Sequence, residues 1–96
     1  MEFMSFHGID MLGRIEITPE ATRSFSEEEI HRILALHATG DYGEVSYEEY
    51  SANLYARYRS CGTLLVSRHR SSKKELAIII TSSDGFETVT TVCAGW

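Results

Sequence analysis

A chain of 96 residues can hold one domain on a single apolar core, and it stands near the small end of what folds that way. With 43% hydrophobic and 24% charged residues it is not a disordered chain, and no apolar run approaches the roughly 20 residues of a membrane-spanning helix. The net charge of −5 hides a division. Residues 1–56 hold eleven acids against three arginines, and residues 57–96 hold six bases against three acids. A chain with two electrical faces suits an oriented contact with a charged partner, and its negative sum disfavours general nucleic-acid affinity.

Residues 1–12 contain three methionines and little pattern. They read as a loose leader, with Met11 as an alternative start. They lack the basic start and continuous apolar stretch of a secretory signal, so the expected location is cytoplasmic. From Gly13 the pattern tightens into one domain over 13–96. Arg14-Ile15-Glu16-Ile17-Thr18 alternates with period two, as a half-buried strand does. Pro19, the only proline, is expected to end that strand because it has no N–H for a sheet ladder.

Ser26-Glu27-Glu28-Glu29 is a capping-box sequence, and Ile30, Ile33, Leu34 and His37 follow it at helical spacing up to a stop at Gly40. The signature repeats at Ser46-Tyr47-Glu48-Glu49. A second stripe of Tyr47, Tyr50, Leu54 and Tyr58 follows and is expected to face the sheet, with Gly62 as the end. After Gly62 the period changes. Thr63 to Arg70, Glu75 to Thr81 and Phe86 to Cys93 are rich in β-branched and apolar residues and are separated by turn-like tetrads. Short links make them antiparallel neighbours, with the segment around Leu76-Ala77-Ile78-Ile79-Ile80 in the centre. The predicted fold is therefore α+β, in the order β-α-α-β-β-β, with two helices packed on one face of an antiparallel meander.

Three groups of residues are candidates for function. The loop between the predicted helices places His37, Asp41 and Tyr42 within six positions, in a stretch that also holds Gly40 and Gly43; an imidazole and a carboxylate four apart can form an acid–base or orienting pair. The plainer alternative is a buried histidine, a capping aspartate and a packed tyrosine. The second group is basic: Arg57, Arg59, Arg68, Arg70, Lys73 and Lys74 would suit an acidic surface or a phosphate backbone. Cations that guard a hairpin edge are the alternative. On the strand they share, Arg68 and Arg70 point one way and His69 the other. Tyr55 is third; it lies off the tyrosine stripe, where a surface contact residue would sit. Cys61 and Cys93 fit no metal or redox spacing and read as buried free thiols, with a disulfide the alternative if they sit on neighbouring elements. Nothing predicts a metal or cofactor: His31 and His37 fall on different helix faces, and there is no phosphate loop, nucleophile elbow or dinucleotide fingerprint.

Leu12-Gly13-Arg14-Ile15-Glu16-Ile17-Thr18-Pro19-Glu20-Ala21, His37-x-x-Gly40-Asp41-Tyr42-Gly43, Asn53, Leu64-Leu65-Val66-Ser67, Ile79-Ile80-Thr81 and Thr88-Val89-Thr90-Thr91-Val92 occur in this order. Together they resemble a family of small bacterial proteins carried on plasmids and other mobile elements. Its members carry labels such as "plasmid-related protein" or type I restriction subunit. The resemblance spans residues 12–92, and the His-x-x-Gly-Asp-aromatic-Gly block is its most specific part. Tyr42 stands where tryptophan is usual, and Ser83-Asp84-Gly85-Phe86-Glu87 replaces a shorter turn. The resemblance implies a mobile-element context and carries no catalytic mechanism.

The leading functional expectation is a non-enzymatic interaction protein, a mobile-element accessory that binds and modulates a host or defence protein. The runner-up rests on the predicted element order, which resembles the RelE-like toxins that cut messenger RNA on the ribosome; Tyr58, Arg68, His69 and Arg70 would then be its working residues. A third reading is a small-ligand domain using His37, Asp41 and Tyr42. No membrane partner is expected, and a homodimer is compatible with the exposed sheet edge and the tyrosine-bearing helix.

Overall fold

Thr18 and Pro19 make a junction that reads two ways from sequence and one way in space. The computed structural model describes residues 12–57, 63–83 and 87–95. In it the strand β1 (Arg14–Ile17) passes directly into a short helix, α1 (Pro19–Ser24). The Thr18 side chain caps it by accepting from the Ala21 N–H. Proline suits the first helical position because its missing N–H would have had no partner there and its φ is already helical. Pro19 thus ends a strand, as expected, and also starts a helix that the alternation had not suggested.

Helix α2 (Glu27–Thr39) begins with the full reciprocal box between Ser26 and Glu29 and stops at Gly40, whose φ of 98° is left-handed. Its buried face is Ile30, Ile33, Leu34, His37 and Ala38. Helix α3 (Tyr47–Arg57) opens on a second box: the Ser46 hydroxyl accepts from the Glu49 N–H, and Glu49 reaches back to the Ser46 N–H. Three strands follow, β2 (Thr63–Arg70), β3 (Leu76–Ser83) and β4 (Thr88–Ala94).

The α+β fold is as expected, with a different sheet. The strand order is β1-β4-β3-β2, and β1 lies parallel to β4 while the other pairs are antiparallel. The sheet is therefore mixed, and among the described residues three helices rather than two accompany it. Period-two alternation marks a strand without naming its partner, and β1 finds its partner in the last strand, not the next one. Thr18 extends this pairing by donating to Val92 O.

One face of the sheet is buried under α1 and α2. Ile17, Ala77, Ile79 and Val92 meet Ala21, Phe25, Ile30, Ile33, Leu34 and Ala38 in one core, which also holds Leu12. The opposite face carries Val66, Ile78, Ile80, Val89 and Cys93, all half-buried.

Helix α3 does not join α1 and α2 on that face. It lies along the outer edge of β2. Asn53 Nδ2 donates to Val66 O at 2.6 Å, and the Val66 N–H donates to Asn53 Oδ1 at 3.0 Å, so one side-chain amide serves both backbone groups as a neighbouring strand would. Glu49 pairs with Arg68 one turn earlier, at 2.9 and 3.3 Å. The face of α3 turned to the strand is thus Glu49, Asn53 and Ala56, not the tyrosine stripe. Hydrophobic spacing pointed elsewhere because a strand edge asks for polar partners, which tyrosine rings do not supply.

Replacing Asn53 with leucine removes both bonds and leaves the Val66 backbone groups without a protein partner. The expected loss is about 2–3 kcal/mol of unfolding free energy, read from urea unfolding, with the midpoint lowered.

Candidate functional site

The loop from Gly40 to Val45 is built to dock on β2. Asp41 N donates to Leu36 O at 2.9 Å, which closes α2, and Asp41 Oδ1 accepts from the Gly43 N–H at 3.1 Å, which bends the chain. Arg68 N then donates to Tyr42 O at 2.9 Å, and Glu44 N donates to Arg68 O at 2.7 Å. These two bonds make a short parallel bridge between Gly43 and Arg68. Gly43 has a φ of 68°, and a Cβ there would overlap the Arg68 carbonyl oxygen and lie 2.8 Å from His69 Nδ1. Glycine is required at this point by both conformation and contact.

His37, Asp41 and Tyr42 do not converge on a common point. His37 is fully buried and directed into the sheet, Asp41 is exposed and turned back onto its own loop, and Tyr42 is buried. The Tyr42 ring meets His37 on one side and Tyr50 on the other, edge to face at 6.0 and 6.2 Å.

His37 stands in a chain of buried polar groups that crosses the sheet. Its Nδ1 lies 2.7 Å from Ser67 Oγ and its Nε2 lies 2.8 Å from Thr81 Oγ1. Thr81 Oγ1 is 2.7 Å from Thr90 Oγ1, and Thr90 donates to Leu12 O at 2.6 Å. The last bond sets the direction of the rest. Thr90 has spent its proton on a carbonyl, so Thr81 donates to Thr90, and His37 donates from Nε2 to Thr81. In the neutral ring Nδ1 then accepts from Ser67. Serine and histidine at this distance can make a nucleophilic pair, but both side chains are fully buried and no substrate reaches them.

His69 points to the same side of β2 as Ser67, opposite to Arg68 and Arg70, as the alternation predicts. Its Nε2 donates to Asp41 O at 3.0 Å and so pins the loop from below. Burial holds this imidazole below the ordinary histidine value, against the Asp41 carbonyl and nearby carboxylates that favour its charged form.

The basic candidates are divided. Arg68 forks onto Glu49, which holds the Glu49 carboxyl below its usual range through hydrogen bonding. Arg70 Nε donates to Glu44 at 3.1 Å, and its Nη1 donates to Lys74 O at 3.0 Å. Lys73 and Lys74 are exposed in the β2–β3 turn. Arg59, Tyr58 and Cys61 lie outside the described residues, as does the side chain of Arg57. Cys93 is a half-buried free thiol, and burial raises its pKa. Among the described residues no three His, Cys, Asp or Glu side chains gather as metal ligands.

The surface is most unusual on α3. Tyr47 is 84% exposed, Tyr50 44% and Leu54 39%; Tyr55 is 64% exposed, and Leu64 on β2 is 55% exposed. Tyr47, Tyr50 and Leu54 are spaced by three and four and so share one helix face. Tyr55 is at the surface, where the sequence places it; Tyr47, Tyr50 and Leu54 are not foreseen there, because apolar residues at helical spacing read as a buried face. Asn53, Ser67, Thr81 and Thr90, which position the loop and helix, stand in the sequence blocks that carry the resemblance, but nothing in their spacing assigns them a role.

Comparison of the chain with models of known protein families, with characterised proteins and with solved structures finds no match.

Two outcomes follow from this geometry. Replacing Thr81 with valine strands the His37 Nε2 proton and the Thr90 oxygen, and unfolding free energy should fall by about 1–3 kcal/mol. Lowered in the folded state, the His69 pKa means that the unfolded chain binds the proton more readily. Its contribution is complete above about pH 6.5 and is lost as pH falls below that value. The stability of His69→Gln, measured by chemical unfolding between pH 7.5 and 5.5, should therefore fall less steeply on acidification than that of the parent.

Proposed function

We propose that this protein is a non-catalytic interaction module and that the outer face of α3 is its contact surface. One observation carries the reading: α3 is fastened to β2 through Glu49 and Asn53, which leaves Tyr47 and Leu54 turned outward and Tyr50 half-exposed beside them, one side of its ring on Tyr42. Contiguous apolar side chains in water are costly and mark interaction sites, and tyrosine is favoured there because a rigid ring buries much area for little entropy. The helix presenting them is firmly seated, so the face is preorganised for binding. Tyr55 and Leu64 are exposed as well.

The partner is a protein, and the resemblance of residues 12–92 to small mobile-element proteins supports one among host or defence proteins. The groups that a catalytic reading would need support the fold instead. Arg68 and Arg70 are held by carboxylates, His69 is turned under the loop, and Ser67 and His37 are buried.

The test is a double substitution, Tyr47→Ala with Leu54→Ser. Both positions are exposed, so each change should alter stability by no more than about 0.5 kcal/mol. A stoichiometric partner recovered from host lysate by the parent protein should be lost with the variant. Retention of the same partner by the variant, or the absence of a partner together with substrate turnover, overturns the proposal.

A further inference from the structure

The β2–β3 turn holds a residue in a conformation that its side chain does not favour. Ser71 N donates to Glu75 O at 2.8 Å and Lys74 N donates to Ser71 O at 2.9 Å, which closes a tight turn with one extra residue. That residue is Lys74, at a φ of 66°, and among the described residues it is the one non-glycine with a positive φ. Glycine or asparagine is the usual occupant of this position in a hairpin of this kind. The loop holds Lys74 there by several bonds. Ser71 Oγ accepts from the Lys73 and Glu75 N–H groups at 3.1 and 3.2 Å, and Arg70 Nη1 donates to Lys74 O. A lysine kept where its backbone is strained points to a use for its side chain.

The use is suggested by what lies beside it. An open cleft of about 440 Å³ is lined by Ser24 of α1, Arg70, Lys74, Glu75, Leu76, Ala94 and Gly95. This is within the range of small-molecule sites. Of the two cations, Arg70 spends Nε on Glu44 and one Nη1 proton on Lys74 O, which leaves Nη2 free of protein partners among the described residues. The Lys74 ammonium has no carboxylate partner among them either. Leu76, Ala94 and Gly95 give the floor an apolar part. Glu75 stands on the lining and opposes a ligand of high negative charge.

We infer that this cleft is a binding site for a small monocarboxylate with a short apolar body, its carboxylate held between Lys74 Nζ and Arg70 Nη2 and its apolar end on Leu76 and Ala94. The site is separate from the α3 face, and neither proposal depends on the other.

Lys74→Gly and Lys74→Asn separate the two roles of the residue. Glycine relieves the backbone, so the melting temperature of Lys74→Gly should rise, while both variants lose the ammonium. The probes are isocaproate and inorganic phosphate, titrated into the full chain with amide shifts followed at residues 74, 75, 76 and 95. The expected result is saturable shifts with isocaproate, weakened at least about tenfold in both variants, and a weaker response to phosphate. Absence of saturation with isocaproate, equal binding by the variants, preference for phosphate, or a melting temperature of Lys74→Gly no higher than that of the parent overturns the inference.

Discussion

The outer edge of β2 has backbone N–H and C=O groups that need partners, and much of the molecule is arranged to supply them. An open edge invites pairing with another chain, so folded proteins cover or interrupt it. Here the cover is made of two unlike parts. The loop at 42–44 pairs with Arg68 as a fragment of parallel strand, and the Asn53 amide pairs with Val66 as if it were a peptide group. Each fixes something larger. The loop bridge sets where α2 ends and α3 begins, and the Asn53 bonds set the rotation of α3 about its axis. That rotation decides which side chains of α3 meet solvent, so the exposed tyrosines follow from the polar demand of a strand edge.

Beneath the same loop the core contains a line of buried polar side chains. His37, Ser67, Thr81 and Thr90 form one directed chain of hydrogen bonds that ends on the Leu12 carbonyl. Each member is buried, and each would be costly alone; satisfied together, they act as a register device. An apolar contact between α2 and the sheet tolerates sliding by a fraction of a turn. A ring whose two nitrogens must meet hydroxyls on β2 and β3 at 2.7 and 2.8 Å does not. Tyr42 then packs against the fixed ring, so core and loop are aligned by a single side chain.

Much of the local structure was legible in the sequence, for physical reasons that also explain the failures. The capping boxes at Ser26 and Ser46 are short-range chemistry, and both formed as read. The alternation of Arg68, His69 and Arg70 on β2 is equally local. The partner of β1 is a long-range choice, and nothing in Arg14-Ile15-Glu16-Ile17 distinguishes a parallel neighbour from an antiparallel one. Pro19 was ambiguous because a missing N–H suits a strand end and a helix start alike. The α3 stripe misled for a different reason: period gives the faces of a helix, while the packing partner decides which face is buried. Of the loop residues, His37, Asp41 and Tyr42 stand close in sequence, yet each serves a different neighbour, because a turn places adjacent side chains on different sides of the chain.

The parallel pairing of β1 with β4 has a consequence for the order in which this chain can be completed. Strands β2, β3 and β4 are close in sequence and can assemble as soon as each emerges. Strand β1 precedes all three helices yet adjoins only the strand farthest from it in sequence. The Thr90–Leu12 bond closes across 78 residues. Pairings of such separation carry the greatest loop-closure cost and set the pace of folding. Ile15 and Ile17 must therefore wait, exposed, until β4 has left the ribosome. During that interval α1 also lacks the strand it packs on. Until β4 is made the sheet is incomplete and its open edge is that of β3, and the step that completes it is the return of β1.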